Sequence, residues 1–135
     1  MLTPQLHFIV IDDSKLNCFI AEKLIRNNEN SNSVQVFMEA TEALEYIKNQ
    51  PDTESPPRTI IIVDIQMPVM NGFEFVESFE KLPEPIRLQY DIFMISSSVN
   101  ESDHNRISNY PSVKKLLLKP LTKEILSHII DFEKN

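Results

Sequence analysis

The sequence has 135 residues, 41% of them hydrophobic and 24% charged, with a formal net charge of −7. That length fits one domain able to hide roughly two-thirds of its unfolded surface, and the apolar content excludes a disordered chain. The acidic balance excludes nucleic-acid binding through clustered Lys and Arg, no apolar stretch approaches the ~20 residues of a membrane helix, residues 1–11 lack the basic start of a secretory signal, and the single cysteine, Cys18, allows no internal disulfide, so a cytoplasmic protein is expected.

An apolar run at residues 6–11 reads as a first buried strand and ends in Asp12 and Asp13. Ser14 can then cap a helix whose Leu16, Ile20 and Leu24 share a face, with Asn27 and Asn28 as stop residues. Cys18 lies off that stripe and is expected to be a partly exposed thiol without a lowered pKa. A second strand at 34–37 leads to a helix capped by Thr41, with Ala43, Leu44 and Ile47 inward. Residues 51–57, the proline-rich PDTESPP, read as an extended surface loop.

A third strand at 60–63 ends in Asp64. Asn71-Gly72 reads as a turn dipeptide permitting positive φ, just before a helix that carries Phe73, Val76 and Phe79 and stops before Pro83. A fourth strand at 92–95 ends at Ser96. The following segment, 101–110, is so poor in apolar residues, with Ile107 nearly alone, that a weakly anchored helix is expected. A fifth strand at 113–118 ends in Lys119, and Thr122 opens a last helix with Ile125, Ile129 and Phe132 on one stripe and Leu126 and Ile130 beside it.

Strand and helix alternating five times predict a single doubly wound α/β domain, a parallel sheet with helices on both faces and a core at about 6–132. In such sheets ligands bind beyond the carboxyl ends of the strands. Asp12, Asp13, Asp64, Ser96 and Lys119 all fall there. Three carboxylates in one crevice repel one another unless a cation sits among them, and Mg²⁺ suits the set because it leaves positions for phosphate oxygens. A carboxylate can attack phosphorus to give an aspartyl phosphate. Lys119 would then neutralise charge and the Ser96 hydroxyl would bond a phosphoryl oxygen. Gly72 is the only glycine, so neither a dinucleotide fingerprint nor a P-loop exists. His7, His104 and His128 sit on separate elements with no ligand spacing.

Ile-Asp-Asp-Ser at 11–14, Val-Asp-Ile-Gln-Met-Pro-Val-Met-Asn-Gly at 63–72, Ile-Ser-Ser at 95–97 and Leu-Lys-Pro-Leu at 118–121 come in an order and spacing that resembles a response-regulator receiver domain from His7 to about Phe132. The resemblance implies a flavodoxin-like five-stranded fold, Asp64 as phosphoacceptor, and Asp12 and Asp13 as the acidic pair for Mg²⁺. It also implies the Gln66 backbone carbonyl as a further ligand, Ser96 as the switch hydroxyl, Lys119 as the family's lysine and a cis Lys119-Pro120 bond. Two positions depart from the family's pattern. Leu116 stands where an aromatic residue is usual, which puts the aromatic half of the coupling in doubt, and Asn71 stands where Asp is common.

The resemblance implies a signalling switch. A histidine kinase or histidine phosphotransfer protein would phosphorylate Asp64, the domain itself catalysing much of the transfer and its own dephosphorylation. Only residues 133–135 follow Phe132, so the expectation is a stand-alone receiver without an output domain. Its output would be binding to a downstream protein through the face formed by the 101–110 helix, the fifth strand and the last helix. Two alternatives stand beside it. One is a scaffold of the same fold that never turns over phosphate, favoured by Leu116. The other is an aspartyl-nucleophile phosphohydrolase, disfavoured by Gln66 in the place of its general acid.

Overall fold

The computed structural model describes residues 6–50, 58–98 and 100–134, so the 51–57 loop read from sequence lies outside the described residues. Five strands, β1 (Leu6–Ile11), β2 (Ser31–Phe37), β3 (Thr59–Asp64), β4 (Tyr90–Ser96) and β5 (Val113–Leu118), form one sheet in the order β2-β1-β3-β4-β5, with every neighbouring pair parallel. The helices are α1 (Lys15–Arg26), α2 (Ala40–Lys48), α3 (Gly72–Glu80), a short α4 (Glu84–Arg87), α5 (Glu101–Ile107) and α6 (Lys123–Lys134). None of them is long and apolar enough to cross a membrane.

Successive strand residues point to opposite faces, so each central strand feeds two cores. Ile9, Ile11, Ile61, Val63, Ile92 and Met94 join α2 and α3 on one side of the sheet. Phe8, Val10, Ile60, Ile62, Phe93 and Ile95 join α1 and α6 on the other. This double burial explains why the strands read as unbroken apolar runs.

The helix starts follow from side-chain caps. The Ser14 hydroxyl accepts the Asn17 N–H at 3.2 Å, as expected, and Asn27 closes α1. The inward face of α1 is Cys18, Ala21 and Ile25, with Leu24 of the expected stripe packed partly against the same core, whereas Leu16 is 67% exposed and Ile20 also lies open. The sequence reading of this helix is thus corrected, and with it the partly exposed Cys18, which is buried. A stripe containing Cys and Ala is less apolar than its Leu and Ile neighbours, but small side chains let a helix lie close to the sheet. Thr41 is not the cap of α2. Glu39 occupies that position without a side-chain bond, while Ala43, Leu44 and Ile47 are buried as predicted.

Asn71 caps α3 with a full capping box, its side chain accepting the Glu74 N–H at 2.9 Å while Glu74 accepts the Asn71 N–H at 3.0 Å. The expected positive φ falls not at Gly72 but at Val69, with φ 68°. The short α4, opening after Pro83 with Pro85 in its first turn, was not foreseen in the sequence. In α6, Thr122 Oγ1 accepts the Ile125 N–H at 3.1 Å. Leu126, Ile129 and Ile130 are buried, while Phe132 lies half out and meets Phe93 edge-on.

Candidate functional site

The strand order reverses between β1 and β3, and Asp12, directly after β1, and Asp64, the last residue of β3, flank that point. Ser96 ends β4 and Lys119 follows β5. Backbone bonds extend the ladder beyond the strands and fix these residues against one another. The Asp12 N–H donates to the Phe37 carbonyl at 3.1 Å, Ile65 to Ile95 at 3.0 Å and Lys119 to Ser96 at 2.8 Å. The Lys119-Pro120 bond is cis, as the resemblance implied.

The Lys119 ammonium stands 2.8 Å from Asp12 Oδ2 and 3.1 Å from Asp64 Oδ2. Both carboxylates are only 4% exposed. Their other oxygens are also held, Asp12 Oδ1 by the Ser14 N–H at 2.8 Å and Asp64 Oδ1 by the Gln66 N–H at 3.3 Å. Asp13 is exposed, yet it offers an oxygen that lies with those of Asp12 and Asp64 inside 4.8 Å. Burial pushes the Asp64 carboxyl above its ordinary range, and the hydrogen bond and charge of Lys119 pull it back only in part. For Lys119, burial works against the ammonium, but its bonds to Asp12 and Asp64 win and hold it above the usual lysine value.

Three carboxylates gather where Lys119 supplies a single ammonium, two of them buried and paired with it, and hard oxygen ligands in that number fit a divalent cation such as Mg²⁺. Of the residues singled out in the sequence, the structure brings Asp12, Asp13, Asp64 and Lys119 into one cluster. Gln66 lies two residues from Asp64 with its N–H turned back onto that carboxylate.

Ser96 is buried on the same rim, its hydroxyl donating to the Ser98 carbonyl at 3.1 Å and accepting the Ser98 N–H at 3.2 Å. Its hydroxyl is thus tied to its own loop, at the start of the connection to α5.

Four supporting groups carry no signature as such in the sequence. The Ser14 and Gln66 amides orient the carboxylates, and the Cys18 thiol donates to the Asp12 carbonyl at 3.1 Å. Burial and then the Asp12 charge push that thiol up to about 11, so it serves as a neutral donor. The fourth is Gly72, which leaves room for the Asp64 backbone. Its being the only glycine singles it out without saying for what.

The family model described as the response regulator receiver domain matches residues 8–131. No curated protein matches the chain significantly. Among solved structures, a response regulator receiver protein from Dyadobacter fermentans is 36% identical with a TM-score of 0.83, over 94% of this chain and 96% of its own. A two-component response regulator from Cytophaga hutchinsonii has a TM-score of 0.84 at 23% identity, covering 96% of each chain. The receiver domain of a sensor histidine kinase from Pseudomonas aeruginosa, described with magnesium coordinated in its active-site cleft, is 16% identical with a TM-score of 0.72, over 96% of each chain, and shares the fold. With the family match running from the first strand into the last helix, the chain belongs to the response regulator receiver domain family of two-component signalling.

Proposed function

We propose that this receiver domain is a phosphorylation-controlled switch that takes a phosphoryl group on Asp64 from a histidine kinase or histidine phosphotransfer protein. The observation that carries the reading is the half-buried Lys119 ammonium bridging the buried Asp12 and Asp64 carboxylates on the rim where the strand order reverses. Mg²⁺, held by Asp12, Asp13, Asp64 and the Gln66 carbonyl, would supply charge neutralisation on the phosphoryl oxygens.

In the transfer, an Asp64 carboxylate oxygen forms a bond to phosphorus as the P–N bond of the donor phosphohistidine breaks. The electron pair of that bond stays on the imidazole nitrogen. Burial leaves the Asp64 carboxylate less well solvated than an ordinary aspartate, which favours its attack. Lys119, already poised at 3.1 Å, stabilises the charge that gathers on the phosphoryl oxygens. Attack of water on the same phosphorus later breaks its bond to the Asp64 oxygen, releasing inorganic phosphate and restoring the carboxylate, a step that Lys119 beside Asp64 would assist.

Phosphorylation brings nearly two negative charges beside Ser96. Its hydroxyl then exchanges the Ser98 carbonyl for a phosphoryl oxygen, which loosens the loop leading into α5. Two of the exposed surfaces among the described residues suit partners. Leu16, 67% exposed, and Phe19, 60% exposed, lie on α1 directly after Asp12 and Asp13, an apolar shoulder on which a donor protein can rest. The α5, β5 and α6 face, with Lys115 and Leu118 exposed on its edge strand, would bind the downstream protein.

Incubation with Mg²⁺ and acetyl phosphate, read by intact mass, tests the reading. A gain of one phosphoryl group that Asp64→Asn abolishes is expected. An unchanged mass, or equal labelling of Asp64→Asn, overturns it and leaves the phosphate-independent scaffold.

A further inference from the structure

Helix α5 follows the Ser96–Ser98 turn, yet among the described residues it buries no side chain of its own. Its Ile107, and Tyr110 just beyond it, only partly sink into the core shared by α2 and α3. It also rests on β5, and its side-chain ties to another helix run to α3. The Arg106 guanidinium lies over the Phe73 ring, 4.1 Å from its centroid, and reaches Glu77 Oε2 at 3.4 Å. The Tyr110 hydroxyl donates to the same Glu77 oxygen, and its ring meets Phe73 at 6.2 Å between centroids.

The two sides of this contact lead back to the acidic rim by separate routes. Phe73 is the second residue of α3, next to Gly72, whose N–H donates to the Ile65 carbonyl at 2.8 Å and on which a Cβ would collide with the Asp64 carbonyl oxygen. Arg106 and Tyr110 hang from the loop that Ser96 holds through Ser98. A rearrangement at Ser96 therefore strains this contact, while the α3 side stays fixed to Asp64. Exposed ion pairs are weak, whereas a guanidinium stacked on a ring adds a directional attraction that depends on its place over the ring face. Such a contact is strong enough to hold a helix lacking buried anchors and weak enough to open.

We propose that the clasp of Phe73 and Glu77 on α3 around Arg106 and Tyr110 is the releasable contact that holds α5 in its resting position and whose opening transmits the state of Asp64. This rests on the phosphoryl-switch reading of Asp64. None of the four side chains belongs to the acidic rim, so they regulate the output and take no part in the transfer.

Hydrogen exchange over residues 97–110, measured on the full chain together with intact mass before and after treatment with Mg²⁺ and acetyl phosphate, tests the clasp. Arg106→Ala should exchange this segment at least threefold faster than the parent without phosphate, Tyr110→Phe should do so to a smaller degree, and both should gain a phosphoryl group as the parent does. The labelled parent should approach the exchange of unlabelled Arg106→Ala, and labelling should add little more to that variant. A parent that gains mass with no change over 97–110, or an Arg106→Ala that exchanges like the parent, overturns the clasp and leaves Asp64 as acceptor. A parent that gains no mass overturns both. Exchange that quickens equally over α1 and α2 in Arg106→Ala marks general destabilisation and overturns the clasp as a specific contact.

Discussion

Gly72 packs so closely against Asp64 that a Cβ on it would stand 2.6 Å from the Asp64 carbonyl oxygen. The next obstacle is the Ile65 Cα at 2.8 Å, and neither backbone atom can swing aside as a side-chain tip would. Gly72→Ala must therefore push α3 away from the end of β3 or displace Asp64. Overpacking of this kind costs about 1–3 kcal/mol. Urea unfolding should show that loss, and phosphoryl uptake should fall with it because Asp64 moves relative to Lys119. A variant as stable and as readily labelled as the parent would show that the close approach has no consequence.

The same residue marks the limit of what the sequence conveys. Asn71-Gly72 reads as a turn pair that permits positive φ, but Asn71 is a helix cap, Gly72 has no positive φ, and the glycine is needed for a neighbour eight positions earlier that only folding brings near. The acidic rim was legible because each of its members ends a strand, and strand ends of a parallel sheet share one edge. The inward face of α1 was not. Choosing between the stripe of Leu16 and Ile20 and that of Cys18, Ala21 and Ile25 depends on how near the helix lies to the sheet, which hydrophobicity alone does not encode. The amides of Ser14 and Gln66 that hold the carboxylates carry no side-chain signature at all.

Val69 combines 91% exposure with a φ of 68°, a left-handed backbone on a β-branched residue. That conformation costs about 1–2 kcal/mol for an L-residue, and no burial of the side chain offsets it. Asn tolerates the left-handed region, so Val69→Asn should raise the unfolding free energy by about 0.5–1 kcal/mol. The check is a higher urea midpoint at an unchanged slope. A lower midpoint would mean that Val69 makes a contribution its exposure does not reveal.

Asp13 separates metal binding from folding. It is exposed and, unlike Asp12 and Asp64, does not pair with Lys119. In chelator, Asp13→Asn should unfold at the same temperature as the parent or slightly higher, since one of three mutually repelling carboxylates is gone. With Mg²⁺ the order should reverse. A ligand that binds only the folded state adds about 2.7 kcal/mol at a hundred times its Kd, and the variant forgoes most of that gain. Equal thermal shifts with Mg²⁺ in both proteins would remove Asp13 from the ligand set.

At the opposite end of the sheet, Glu133 of α6 and Asp91 of β4 crowd a single guanidinium. Arg58 Nε lies 3.1 Å from Glu133 Oε1, its NH2 group pairs with Asp91, and Lys114 reaches Asp91 at 3.8 Å. Burial, then the hydrogen bond and charge of Asp91, push the Glu133 carboxyl up to about 7, against the pull of Arg58. An acid whose pKa is higher in the folded state binds more protons there than when unfolded. Its contribution to stability is therefore full below the ordinary carboxyl range near 4.5 and declines as pH rises towards 7. Glu133→Gln keeps the size of the side chain and removes the proton. It should match the parent in urea unfolding at pH 4.5 and exceed it by about 1–2 kcal/mol at pH 8, after discounting the shift for solvent screening at the helix end. Comparing variant with parent at each pH cancels the titrating groups remote from Glu133, Asp64 among them. A difference that stays flat with pH, or shrinks as pH rises, would mean that Arg58 holds Glu133 ionised throughout and that the two carboxyls share no proton.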